Sequence, residues 1–268
     1  MNAELIDTTS AHPDVQVDAQ GEATLDAQGA TSPAVAPDFD VSKVKAVTLD
    51  LDDTLWPVWP TIERAERALH AWLVANAPAA AALAAPPGAL REVRNALNHS
   101  RPDLAHDMSA MRRESIRLVL QRAGDDPALA EAGFEVFFAE RQRVDLFEDA
   151  LPALTFLSQR FPLVAVSNGN ADVGRVGLGH FFRAAFSAHA FGCAKPDPRI
   201  FHAAAQSAGV EAGQVLHIGD DARLDAVAGL DAGMQVAWLN RGDLAWDHGP
   251  RQPHVTVRDL QALCARFD

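Results

Sequence analysis

Apolar and polar positions divide the chain into stretches of different period. Residues 1–42 show no apolar period. "KAVTLDL" is an apolar run that stops abruptly in acids, so a buried strand is expected there. Residues 57–145 follow the helical period. "TIERAERALHAWLVA" places Ile62, Ala65, Leu69, Trp72 and Leu73 on one face, and "AAPPG" interrupts the pattern. "SAMRRESIRLVLQRAG" reads as a helix stopped by Gly124, and "PALAEAGFEVFFAERQR" as a third. No strand is expected between residues 57 and 145. From residue 146 the pattern changes: helical "ALPALTFLSQR", "RIFHAAAQSAG" and "ARLDAVAGLDAG" alternate with the short apolar runs "PLVAVSN", "QVLHIGD" and "MQVAWLN". Such alternation predicts an α/β fold with a parallel sheet covered on both faces. The core comprises residues 43–56 and 146–268; residues 57–145 form an inserted helical module.

The first 42 residues hold eight acidic side chains and no Lys or Arg, so the formal charge of −13 falls to −5 over the remainder. Too little can be buried there to offset the ordering entropy. A disordered acidic leader is expected, with a regulatory tail as its alternative. No basic stripe suggests nucleic acid or an anionic membrane as a partner. No apolar run is long enough to span a bilayer, and no secretion signal is present. The two cysteines, Cys193 and Cys264, suit a reducing cytoplasm better than a disulfide framework. The oligomeric state stays open.

In open parallel sheets, ligands bind beyond the carboxyl ends of the strands. The first strand delivers Asp50, Asp52 and Asp53 to that edge; the second delivers Ser167 and Asn168; the third delivers Asp220 and Asp221, with Asp225 a turn later. Lys195 precedes a helix whose first turn holds Pro198. Acids, a hydroxyl and a lysine on one edge suit phosphoryl transfer through a covalent aspartyl intermediate. Mg²⁺, with its taste for carboxylate and phosphate oxygens, would offset the charge. Residues i and i+2 of an extended chain point the same way. Asp50 and Asp52 therefore address one substrate, one as nucleophile and one as acid and base, while Asp53 turns away and ties down the loop.

These motifs resemble those of haloacid-dehalogenase-superfamily phosphohydrolases. Asp50-Leu51-Asp52-Asp53-Thr54 matches the first motif, Ser167 in "VSNGN" the second, Lys195 the third, and Asp220 with Asp225 in "GDDARLD" the fourth, in the family's order over residues 43–268. The resemblance implies a Rossmann-like core with a C1-type helical cap at 57–145. It implies Asp50 as nucleophile and Asp52 as acid/base. Ser167, Lys195 and the Asn168 backbone N–H would hold the phosphoryl group. Mg²⁺ would rest on the Asp50 carboxylate, the Asp52 carbonyl and Asp220. Asp225 and Thr54 would support these from behind, and the role of Asp221 is left open. A narrower likeness, carried by "DLAHDMSAMRRESI", "SNGN", "GLGHFF" and "GDLAWD…PHVTVRDLQAL", is to bacterial phosphatases acting on 5-amino-6-(5-phosphoribitylamino)uracil, a riboflavin precursor; such enzymes also take FMN and sugar phosphates.

Each residue also has a plainer reading. Acids after a strand often cap helices. Trp56 and Trp59 pack the flap against the cap or stack on a substrate ring. His99, His106 and Asp107 cap a helix, face solvent or reach the substrate. Cys193 is a small packing residue. Arg112, Arg113 and Arg117 form a solvated helix side, or one of them reads a second anion. The expected function is a phosphatase acting on a small phosphorylated metabolite. The alternatives are a sugar-phosphate mutase and a non-enzymatic regulatory protein of the same fold. A dehalogenase fits less well, because a departing halide needs no proton from Asp52.

Overall fold

The computed structural model describes residues 38–86 and 88–268. Most of the expected leader, residues 1–37, lies outside the described residues. Residues 38–42, grouped with it on composition, join the core. Phe39 meets Phe267 edge-on, with ring centroids 5.8 Å apart. The Asp40 N–H donates to Gln235 Oε1 at 2.8 Å, and Gln235 Nε2 donates back to the Asp40 carbonyl. A single aromatic anchor has no period, so composition alone missed it.

Six parallel strands form one sheet in the order β3-β2-β1-β4-β5-β6. They are β1 (Ala46–Leu49), β2 (Leu163–Ser167), β3 (Phe182–Ser187), β4 (Val215–Gly219), β5 (Gln235–Leu239) and β6 (Val255–Val257). Four are the apolar runs expected from sequence. β3, "FRAAFS", is a half-exposed edge strand carrying Arg183, and β6 spans three residues; neither shows a continuous apolar run. Sequence order runs outward from β1 on both sides, so the direction of winding reverses between β1 and β4. In open sheets of this kind ligands bind at the carboxyl ends beside such a reversal.

Both sheet faces are buried, which is why β1, β2, β4 and β5 bury every residue. Val47, Leu49, Leu163, Leu216 and Ile218 pack with α6 (Ala150–Ser158) and α11 (Leu260–Cys264). Ala46, Val164, Val166 and Val215 pack with Ile200, Phe201 and Ala204 of α9 (Pro198–Ala208) and with α10 (Ala228–Asp231). The single turns α7 (Val173–Val176) and α8 (Ala188–Phe191) flank β3.

Among the described residues between β1 and α6 lie five α-helices: α1 (Val58–Asn76), α2 (Pro78–Ala84), α3 (Ala89–Ser100), α4 (Met108–Ala123) and α5 (Leu129–Arg141). The chain enters α4 through Asp107, whose side chain accepts the Ala110 N–H at 2.9 Å, and leaves at Gly124 as expected. Ala65, Leu69, Leu73, Ile116, Leu120, Phe134 and Phe137 make a second, separate apolar cluster. Burying each of these phenylalanines contributes about 1.5–3 kcal/mol.

The Arg-rich face corrects one expectation. Arg112 is not solvated: it is 5% exposed, donates to Glu66 at 2.9 Å and stacks on the Phe137 ring. Burial leaves its guanidinium lowered to about 9, with Arg94 adding repulsion and Glu66 opposing. Arg113 lies over Phe134 and pairs with Glu131, and Arg117 pairs with Glu114. Long stems that cover aromatic rings look like surface positions in a helical wheel.

Candidate active site

The carboxyl ends of β1 and β4 bring Asp50, Asp220 and Asp225 together. Asp50 follows β1 and anchors its N–H on the Ile218 carbonyl of β4 at 2.9 Å. Its side chain is nearly enclosed. Lys195 Nζ donates to Asp50 Oδ1 at 2.6 Å and to Asp225 Oδ1 at 2.5 Å, tying three distant segments together. Asn168 fixes the lysine loop from β2: its Nδ2 donates to the Lys195 carbonyl at 2.9 Å, and its Oδ1 accepts the Lys195 N–H at 2.8 Å. This side-chain clamp was not foreseen; sequence reasoning gave Asn168 only a backbone role.

Asp220 follows β4. Its Oδ1 accepts from Thr54 Oγ1 at 3.0 Å, and its backbone carbonyl accepts from Trp238 Nε1 at 2.8 Å. Asp225 sits in the wide π-helical turn Ala222–Val227 and is 1% exposed. Besides Lys195, it takes His217 Nε2 on Oδ1 at 3.1 Å and the Asp221 N–H on Oδ2 at 3.1 Å. Gly219 makes this approach possible, because a Cβ there would lie 2.2 Å from Asp225 Cγ. Asp221 turns outward and caps the turn, accepting from the Arg223 and Leu224 N–H groups.

Charge and burial conflict in this cluster. Burial raises Asp50 well above the usual carboxylate range; Lys195 opposes, and Asp225 and Asp220 add to the rise. Asp220 is pushed up to about 7, first by burial, then by Asp225, against the Thr54 hydrogen bond. Burial also works to raise Asp225, but Lys195 and His217 outweigh it and hold the carboxyl at about 2. For Lys195 burial disfavours the ammonium, while Asp225 and Asp50 outweigh it and hold the group above its ordinary value. Carboxylate oxygens of Asp50, Asp220 and Asp225 lie within 4.8 Å of one another. With all three acids ionised, one ammonium leaves two negative charges in excess, the charge a bound cation would offset, and all the donors are hard oxygens. That set fits a divalent cation. Asp225 is largely committed to Lys195, His217 and the Asp221 N–H, so Asp50 and Asp220 are the freer donors.

Asp52 lies apart from this cluster. Its oxygens accept from Arg141 Nη2 at 2.7 and 2.6 Å, and Oδ1 also accepts from Trp56 Nε1 at 2.8 Å. Trp56 is fully buried in the core, so it packs rather than stacking on a ligand, whereas Trp59 is 54% exposed. Asp53 has a positive φ of 57° and accepts the Val58 N–H at 2.9 Å, starting α1. Ser167 is buried, and its Oγ accepts the Gly169 N–H at 3.0 Å.

Ser167, Asn168, Gly169 and Asn170 line a cavity of about 300 Å³ together with His106, Met108, Ser109 and Phe138 of the inserted helical segment. Two contacts join the inserted helical segment to the α/β part at this cavity. Asn170 Nδ2 donates to Ser109 Oγ at 3.2 Å, and His189 Nδ1 lies 2.8 Å from Asp107 Oδ2. Asp107 thus caps α4 and also meets the core through His189. Among the described residues, His99 hydrogen-bonds only to the Asn95 carbonyl within its own helix.

Sequence reasoning missed Arg141, Trp56 as a donor, and His217. A signal existed for two of them. Ala130, Phe134, Phe137 and Arg141 follow one helical stripe, so the arginine continues the buried face of α5. His217 interrupts an otherwise apolar strand.

Residues 44–233 match the haloacid dehalogenase-like hydrolase family. The 5-amino-6-(5-phospho-D-ribitylamino)uracil phosphatase YigB of Escherichia coli (strain K12) is 32% identical over 231 residues, 83% of this chain and 96% of that protein. The phosphoserine phosphatase of Thermus thermophilus is 31% identical over 158 residues, 57% of this chain and 63% of that one. The crystal structure of a 2-haloacid dehalogenase from Pseudomonas syringae pv. tomato DC3000 superposes with a TM-score of 0.77 at 38% identity, covering 84% of this chain and all of that one. With the motif residues gathered at one sheet edge and the match spanning most of the chain, the protein belongs to the haloacid dehalogenase-like hydrolases.

Proposed function

We propose that this enzyme is a Mg²⁺-dependent phosphatase that cleaves the phosphate monoester of a small metabolite through an aspartyl phosphate on Asp50. The observation that carries the reading is the pairing of Lys195 with both Asp50 and Asp225 beside Asp220, a buried cluster with negative charge in excess.

Asp50 Oδ1 is taken by Lys195, which leaves Oδ2 to attack phosphorus. The ester P–O bond breaks as the new one forms, and Asp52 gives its proton to the departing oxygen. Lys195, the Ser167 hydroxyl and the Asn168 N–H hold the phosphoryl oxygens. Asp52 then takes a proton from water, the water oxygen bonds to phosphorus, and Asp50 is released with inorganic phosphate. Asp50, Asp220 and the Asp52 carbonyl would hold Mg²⁺, which when bound neutralises charge on the nucleophile and the phosphoryl group. Thr54 orients Asp220, and Asp225 orients Lys195. Cap residues at the cavity exclude bulk water during transfer.

The likeness to the E. coli enzyme supports 5-amino-6-(5-phosphoribitylamino)uracil as the first substrate to test. The test is phosphate release with Mg²⁺ from that compound, FMN and a panel of sugar phosphates, for the wild type and Asp50→Asn. Preference for the pyrimidine compound, lost in the variant, is the expected result. Full activity in Asp50→Asn refutes the nucleophile. Isomerised sugar phosphate without free phosphate transfers the assignment to a mutase. Halide release from a 2-haloacid, the substrate class named for the P. syringae structure, transfers it to a dehalogenase.

A further inference from the structure

We infer that Arg141 is a positioning residue for Asp52, a cation on the last turn of the cap that holds the acid/base carboxylate in place for both proton transfers. The inference rests on the reading of Asp52 given above.

Arg141 Nη2 reaches both oxygens of Asp52, at 2.7 and 2.6 Å, while Trp56 Nε1 takes Oδ1 from the other side. Gly169 closes the remaining wall: a Cβ there would stand 2.4 Å from Asp52 Oδ2 and 3.3 Å from Arg141 Nη2. Arg141 is 1% exposed and Trp56 0%, so neither donor can swing away into solvent. Among the described residues, no other side chain of the cap donates to an acid of the site. Asp52 therefore takes its place from the cap as well as from β1.

Stability does not account for this arginine. Its Nη1 is buried with no hydrogen-bond partner among the described residues. An unpaired buried donor costs free energy, and a buried ion pair is often no better than two apolar side chains in place of both partners. A residue at this point of the Ala130–Phe134–Phe137 stripe would pack as well as Met or Leu. What Met could not do is hold a carboxylate by two oxygens.

The test compares Arg141→Met and Arg141→Gln with Asp52→Asn in the full-length, Mg²⁺-loaded enzyme, on two substrates. A sugar phosphate needs its departing alkoxide protonated; 4-nitrophenyl phosphate does not. Misplacing a catalytic group by about 1 Å costs about 100-fold. The expected result is a kcat lowered by about that factor on the sugar phosphate, with KM changed by less than about threefold. On 4-nitrophenyl phosphate, the variants release a burst of one nitrophenolate per active site. Slow turnover follows, because phosphoenzyme hydrolysis still needs Asp52. Added guanidinium ion raises the steady rate of Arg141→Met, and a cooperative melting curve shows that the variant is folded. Wild-type rates on both substrates overturn the inference, as does equal loss on both without a burst in a folded variant. If Arg141→Met does not fold, the same readouts on Arg141→Gln decide. If Asp52→Asn shows the pattern and the Arg141 variants do not, the Arg141 inference alone fails. If Asp52→Asn behaves as wild type, the reading of Asp52 fails with it.

Discussion

Replacing Asp220 by Asn should stabilise the metal-free protein at neutral and alkaline pH. Asp220 is raised to about 7, mainly by burial and by the charge of Asp225. In the unfolded chain an aspartate titrates near 3.9, so the difference of about three units amounts to about 4 kcal/mol. The sign follows from proton counting. Between pH 4 and 7 the folded state holds a proton that the unfolded state has lost. Folding stability therefore falls as pH rises through that window, and the full penalty remains above it. Below pH 4 both states are protonated and the penalty vanishes. Asn keeps the oxygen that accepts from Thr54 but carries no charge. Allowing for relaxation around the site, it should recover about 3 kcal/mol at pH 8, roughly 6–12 °C in melting temperature for a domain of this size, and almost nothing at pH 4. The assay is thermal or urea unfolding of both proteins in EDTA across pH 4–8, repeated with MgCl₂. Wild type should gain stability from MgCl₂ at pH 8 and little at pH 5, while the variant should gain little at either pH. A variant less stable than wild type at pH 8 in EDTA, or a stabilisation independent of pH, would refute the account of the buried charge.

Other outcomes follow from single contacts. Gly169→Ala should fold normally but lose about 100-fold in kcat, since its Cβ would displace Asp52; steady-state kinetics beside a melting curve checks this. Phe137→Ala should cost about 3–5 kcal/mol by opening a cavity in the cap core beneath Arg112, read by urea unfolding. Lys195→Met leaves Asp50 and Asp225 buried without their shared cation. It should lose turnover and about 3–5 kcal/mol at pH 7, as measured by phosphate release and urea unfolding. His217→Phe removes one donor from Asp225 and should cost about 1–3 kcal/mol, with Lys195 still bound to Asp50.

Some features of this protein are local and could be read along the chain. Four of six strands are apolar runs because both sheet faces are covered, and a strand buried twice has no polar alternation. The ends of α4 follow from Asp107 and Gly124, whose side chain and backbone act within one turn. Asp50, Asp52 and Asp220 stood out because polar residues at strand ends sit where the sheet opens, and Lys195 because it precedes a helix in the order of the family's motifs. Edge strand β3 and the three-residue β6 did not, since half-exposed or very short pairing leaves no hydrophobic trace. Asp221 was ambiguous beside Asp220 until the turn it caps was seen.

Other features arise only when distant segments meet. Lys195 and Asp225 are 30 residues apart and Arg141 and Asp52 are 89 apart; their partnerships depend on how the strands are ordered and where the cap returns. Asn168 became a clamp on the lysine loop, Arg112 a buried stack on Phe137, and Trp56 a donor to Asp52, each through packing that no period encodes. Side-chain chemistry and local spacing announced which groups could react. Three-dimensional closure decided which of them touch, because burial and pairing energies depend on neighbours in space rather than neighbours along the chain.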